Sequence, residues 1–132
     1  RLSEFKTKLA DSPDCSSCAC EKGPNRAIAV GKLHDLFDFF HEFIRDRTAY
    51  YLDTNVTQPL TKESDLSYSE FVGAAPAEWF VSHYWGTAFQ HFCMALRKHA
   101  ETVCDARSWT TIAYWVCFCS NNQHHIADEL GA

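Results

Sequence analysis

Two apolar runs separated by one helical stripe constrain this chain more than anything else in it. Trp79, Phe80, Val81, Ser82, His83, Tyr84 and Trp85 form an aromatic-rich stretch bounded by Pro76 and Gly86. Such a stretch between breakers predicts a strand. Thr87 can cap a helix running to about Glu101, with a core stripe of Phe89, Phe92, Cys93, Leu96 and Ala100 at helical spacing. Arg97, Lys98 and His99 then fall near the helix's negative end, where cations are favoured. Residues 110–119 are almost continuously apolar, the pattern of a strand covered on both faces. Strand, helix, strand in that order predicts a parallel pair with a helical crossover, so the fold class is α/β.

Upstream the period changes. Ile28, Leu33, Leu36, Phe37, Phe40, Phe43, Ile44 and Tyr51 recur at helical steps. They predict one amphipathic helix over residues 27–53, its start blurred by Gly31 and its continuation blocked by Pro59. Residues 54–78 read as a connector. Within it, Gln58, Pro59, Leu60 and Thr61 are expected to be extended, because the residue before proline avoids the helical region. Residues 67–72 suit one helical turn. Residues 1–26 read as a polar, cysteine-containing arm with a short helix over 2–9 and turn signals at Ser12, Pro13, Asp14, Gly23 and Pro24. Residues 79–132 hold the β-α-β unit. Ser120, Asn121, Asn122 and Gln123 end its second strand, and residues 124–130 open another helix.

Composition narrows the function classes. The net charge is −5 with scattered basic residues, which argues against a nucleic-acid partner. No apolar run approaches the roughly 18 residues of a membrane span. Seven cysteines, an odd number, do not suggest a secreted disulfide framework. A reducing compartment is expected: cytoplasm, or an organelle interior such as a plastid. The chain starts at Arg1 and stops at Ala132, just after a helix start. The expectation is a piece of a longer polypeptide, with an incomplete sheet.

Parallel strands place their C-terminal ends on one edge, where open α/β sheets bind ligands. Ser82, His83, Trp85 and Gly86 would meet Asn121, Asn122, Gln123 and His124 there. Asn and Gln suit a base edge or a ribose, Trp85 a planar ring, and a helix N-terminus an anion. The chemistry is that of an NAD-like nucleotide pocket, without a Gly-rich phosphate loop. The structural alternative stays open: Asn and Gln are common turn formers, and Trp85 can be core. Cys15, Cys18 and Cys20 have a spacing that can hold zinc or serve redox chemistry, with surface free thiols as the alternative. His34, Asp38 and His41 lie on related turns of the long helix, either as ligands or as a solvated face. Cys117 and Cys119 are expected on one face of their strand. No catalytic residue can be assigned from spacing. Ser82 and His83, adjacent on a strand, face opposite sides.

These motifs also carry a resemblance. Phe80, Val81, Ser82, His83, Trp85 and Gly86, then Tyr114, Trp115, Val116 and Cys117, then Asn121, Asn122, Gln123 and His124, resemble a family of algal, especially dinoflagellate, proteins. Thr54, Asn55, Val56, Pro59, Leu60 and Thr61 fit its lead-in. That family is similar to TIR-type, flavodoxin-like domains, which serve in self-association and signalling and in some cases cleave NAD. The resemblance implies a TIR-like sheet, of which this chain holds the first part. The family's later Trp-Cys…Glu segment, and the Glu that NAD-cleaving TIR enzymes use, are not in this sequence. Cys117, Phe118 and Cys119 also depart from the family's usual residues there. Three functions are therefore expected, in this order. The first is a non-catalytic interaction module or accessory subunit of a larger assembly, with peripheral contact to a membrane complex among its possible settings. The second is a TIR-like nucleotide enzyme whose catalytic half lies elsewhere. The third is a small metal or redox module on Cys15, Cys18 and Cys20.

Overall fold

The stripe Phe89, Phe92, Cys93, Leu96 and Ala100 is wholly buried, as its spacing requires. In this computed structural model, which describes residues 1–11, 18–82 and 85–130, it lies on helix α6 (Phe89–Val103). Leu33, Leu36, Phe40 and Ile44 form the matching stripe of α2 (Val30–Ile44) and are also buried. Fully burying one such side chain contributes about 1.5–3 kcal/mol before entropy is counted. The two helices pack on each other and enclose the core with three strands: β1 (Ile28–Ala29), β2 (Trp79–Val81) and β3 (Ala113–Val116).

The sheet order is β1-β3-β2. β2 and β3 are parallel, with Trp79 opposite Tyr114 and Val81 opposite Val116, and α6 is the crossover between them. The α/β expectation therefore holds at this level. β1 has no counterpart in the expected pattern and makes the sheet mixed: it runs antiparallel to β3, Ile28 opposite Tyr114.

β1 comes out of the segment expected to be one helix over residues 27–53. The Ala27 N–H donates to Ala75 O (2.9 Å) and the Val30 N–H to Ile112 O (2.9 Å), so non-local partners outcompete a helical turn here. Gly31 then lets α2 approach the short 3₁₀ turn at Trp109–Thr111, because a Cβ there would stand 2.7 Å from the Cβ of Thr110. At its other end α2 stops without Gly or Pro. Arg45 takes φ 49° and the Arg47 N–H closes a turn onto Ile44 O (2.8 Å). A non-glycine residue there costs about 1–3 kcal/mol. That cost is offset by what the turn positions, since Arg47 O accepts from the Phe89 N–H (2.9 Å) and Thr48 bridges Ala88. Thus α6 starts at Phe89 with Ala88, not Thr87, at its cap, and its first N–H is already spent on backbone.

Residues 58–61 are helical rather than extended. A short α3 (Ala49–Leu52) runs into a π-helical turn (Asp53–Thr57) and then α4 (Gln58–Thr61), with Gln58 at φ −64°, ψ −48°. The wide π turn carries the preceding carbonyls away from the Pro59 ring, which relieves the clash that normally ends a helix at proline. The expected turn at 67–72 is α5 (Tyr68–Val72), closed by a capping box: Ser67 Oγ accepts from the Glu70 N–H (3.2 Å), and Glu70 Oε1 accepts from the Ser67 N–H (3.0 Å). Helix α1 (Leu2–Ala10) lies close to its expected place and buries Phe5 in the core.

Both strands of the parallel pair are shorter than expected. β3 stops at Val116, after which residues 117–120 fold into a helical turn, α7 (Cys117–Ser120), with the Val116 N–H donating to Ser120 Oγ (3.1 Å). Cys117 and Cys119 are consequently not on one strand face: Cys117 is half-buried and Cys119 fully buried. With no partner beyond Val116, β2 ends at Val81. A 3₁₀ turn at Gln123–His125 and α8 (Ile126–Glu129) complete the described chain. Among the described residues no helix is long and apolar enough to cross a membrane.

Candidate functional site

Because Val81 and Val116 are in register, the chain leaves both strands at one edge. Ser82 emerges exposed there, and Trp85 and Gly86 are half-buried; His83 lies outside the described residues. Trp85 packs edge-on against Phe118 (ring centroids 5.8 Å) and tilts against Tyr50 (5.3 Å), while its carbonyl accepts from the Ala49 N–H (3.1 Å). Its indole is therefore partly a wall of the core.

The second cluster is occupied with its own turn. Asn122 Oδ1 accepts from the His124 N–H (2.9 Å), and its Nδ2 donates to Asp65 O (2.8 Å). Asn121 Nδ2 donates to Cys117 Sγ (3.4 Å), and Gln123 Nε2 lies between Asn121 O (3.4 Å) and Cys117 O (3.5 Å). Asn121 and Asn122 are buried. The amide donors that suit a nucleotide base are thus committed to holding residues 120–124 in shape. The two clusters take different partners: Trp85 packs on Tyr50 and Phe118, while the amides hold Cys117 and Asp65.

Behind that edge sits a group that the spacing did not reveal. Asp53 is 5% exposed. Its Oδ1 accepts from Thr57 Oγ1 (3.1 Å) and its Oδ2 from Gln58 Nε2 (2.8 Å). Burial pushes its carboxyl pKa up, against the opposing pull of those two hydrogen bonds and of the nearby His124. Thr61 Oγ1 donates to Thr57 O (2.8 Å) and stands 2.9 Å from His124 Nε2. Since the hydroxyl proton is spent on the carbonyl, His124 donates from Nε2. The sequence signal was present in the i, i+4 pair Asp53 and Thr57, followed by Gln58 and Thr61. The expectation of an extended Gln58–Thr61 segment hid it.

Of the three cysteines proposed for a metal, Cys15 lies outside the described residues. Cys18 is exposed, and Cys20 is half-buried. The Cys20 N–H donates to Glu70 Oε2 (2.7 Å), and its carbonyl accepts from Arg26 Nε (3.1 Å) and Nη2 (2.9 Å). Burial and the Glu70 carboxylate push the Cys20 thiol pKa up, opposite to what a metal-binding thiolate favours. His34 Nε2 pairs with Cys93 O (2.9 Å) and His41 Nδ1 with Asp38 O (2.7 Å), so both rings donate to carbonyls. Among the described residues no three His, Cys, Asp or Glu side chains are grouped to hold a metal.

Among the described residues, β2 carries two neighbouring exposed aromatic side chains. Trp79 is 45% and Phe80 68% exposed, on opposite faces of a strand at the sheet margin. Trp79 leans edge-on against His99 of α6 (4.8 Å), and Phe80 lies against Trp115 (5.8 Å). Val30 N–H donating to Ile112 O turns the main chain of Ile112 and Tyr114 towards β1, and that of Ala113 and Trp115 towards β2. By the same alternation Trp79 and Val81 pair with β3, and the N–H and C=O of Phe80 face outward, unpaired by the sheet. Grooves of about 510 Å³, lined by Phe5, Lys32, Asp35 and Thr110, and of about 600 Å³, lined by His34, Asp38 and Met94, share no lining residue with this edge. No protein-family model, curated protein or solved structure matches the chain.

Proposed function

We propose that this chain is a non-catalytic protein-interaction module, or accessory subunit, that receives an extended segment of another protein along β2. The observation that carries the reading is the conjunction at Phe80. An outward main-chain donor and acceptor belong to Phe80, whose ring and that of the neighbouring Trp79 are exposed, at an edge that no further strand, bulge or proline covers among the described residues. Soluble proteins usually blunt such edges, and strand addition is a recurring mode of peptide recognition. The parallel β-α-β order also supports reading the chain as part of a TIR-like α/β domain. An NAD-like nucleotide site comes second, because the side-chain donors of Asn121, Asn122 and Gln123 already have internal partners. A metal or redox role for Cys15, Cys18 and Cys20 comes third.

A photo-crosslinking residue placed at Trp79, in the full chain in its own cells, tests the first reading. A discrete protein adduct is expected. It should vanish when Phe80→Pro removes the outward N–H, a change that an edge strand tolerates. The same crosslinker at Met94, 59% exposed on α6, should not produce it. Absence of any adduct at Trp79, or an adduct indifferent to Phe80→Pro, refutes the reading.

A further inference from the structure

The last described residues are attached in a different way from the rest of the chain. The Gln123–His125 turn and α8 (Ile126–Glu129) contain no buried residue. Ile126 is 37% and Leu130 65% exposed, so apolar packing does little to hold them. What holds them is polar. His124 donates to Thr61. His125 Nε2 meets Asp65 Oδ2 at 2.8 Å, an exposed pair. At the far end Lys22 Nζ donates to Asp128 O (2.9 Å) and Glu129 O (3.3 Å), and Arg26 pairs with Glu129. Glu129 Oε1 also accepts from the Asn122 N–H (2.7 Å), which closes the segment back onto its own start.

We propose that residues 123–130 form a polar strap that detaches as a unit while the core stays folded, and that it controls access to the C-terminal end of β3. Segments with few buried apolar contacts open at a fraction of the global unfolding free energy. The hinge is defined: Asn122 is anchored to Asp65 O by its own amide, and the backbone is extended at Asn121 and Asn122 before the strap begins. The ground it covers is polar and otherwise closed, with Thr61 at 3% and Asp53 at 5% exposure, and the buried Cys119 sits on α7 four residues before the strap begins. The latch can also be cut without stranding a charge. Arg26 keeps Glu70, 3.5 Å away, when Glu129 is neutralised. This inference does not depend on a partner at β2.

Hydrogen exchange with mass spectrometry on the full chain tests it, read alongside thiol alkylation. In the unmodified protein, amides of residues 123–130 should exchange at least tenfold faster than those of α2 and α6, and faster still in 0.5 M salt. Glu129→Gln should accelerate them a further several-fold and leave α2 and α6 unchanged. Alkylation of Cys119 should rise with the same changes, while Cys93, equally buried but on α6, should not. Exchange of residues 123–130 in step with α2 and α6 overturns the proposal. So does alkylation of Cys119 in step with Cys93. The salt series on the unmodified chain separates these outcomes even if the variant fails to fold.

Discussion

Side by side in register, β2 offers Trp79, Phe80 and Val81, and β3 offers Tyr114, Trp115 and Val116. The residue types are nearly the same, and both stretches read as apolar strands. Yet Tyr114 and Val116 are enclosed while Trp79 and Phe80 stand in solvent. The difference is position. β3 has a strand on each side, with the α6 residue His99 bonded at Nδ1 to the Tyr114 hydroxyl (2.6 Å). Among the described residues β2 has a neighbour on one side only. One aromatic residue is core in the first place and contact surface in the second, and composition does not distinguish them.

The largest expected effect breaks the comparison from the inside. Tyr114→Ala removes a ring that is 1% exposed and leaves a cavity, so it should cost about 3–5 kcal/mol in urea denaturation. A loss below about 1 kcal/mol would mean that β3 is not the centre of the core.

A second, smaller effect probes how dry the far end of β3 is. The folded pKa of Asp53 lies above its ordinary value of 3.8, so the folded protein holds that proton to higher pH than the unfolded chain does. Asp53 therefore favours folding most below its unfolded pKa. Stability is lost as pH rises from there through the folded pKa. Asp53→Asn keeps an acceptor for Thr57, and the Gln58 amide can turn to match it. It should stabilise the protein at pH 7, by on the order of 1 kcal/mol, and make no difference below pH 3.5. Destabilisation at pH 7 would show that the carboxylate is charged and well solvated or paired.

The smallest effect belongs to the edge. Phe80→Ser removes an exposed ring and should change stability by less than about 0.5 kcal/mol. The same substitution should abolish the adduct expected at Trp79. A large loss of stability would make Phe80 part of the core and erase the contrast.

Legibility in the sequence followed the range of the forces involved. The α6 stripe was read in full, because periodicity over four turns reflects one continuous apolar surface. α5 was also readable, through Ser67 and Glu70 three residues apart. The break in α2 at Arg45 was not, because a left-handed arginine has no sequence signal and persists only through the contacts that Arg47 and Thr48 make with residues 88 and 89. Asn121, Asn122 and Gln123, expected to end the second strand, follow the helical turn α7 instead. Whether their amides face a ligand or their own turn depended on Asp65 and Cys117, and Asp65 is distant in the chain.

By itself, then, the sequence determined the parallel unit of residues 79–116, its crossover helix and the face that helix buries. Those follow from local periodicity and from the hydrophobic effect acting along one element. The tertiary structure alone decided that β3 is central and β2 marginal, that Asp53 is buried beside His124, and that residues 123–130 are held by charge and hydrogen bonds instead of packing. Each of these depends on which distant segment reaches a given strand or carboxylate first. Such pairings are set by competition across the whole chain, and neighbouring residues carry no record of the outcome.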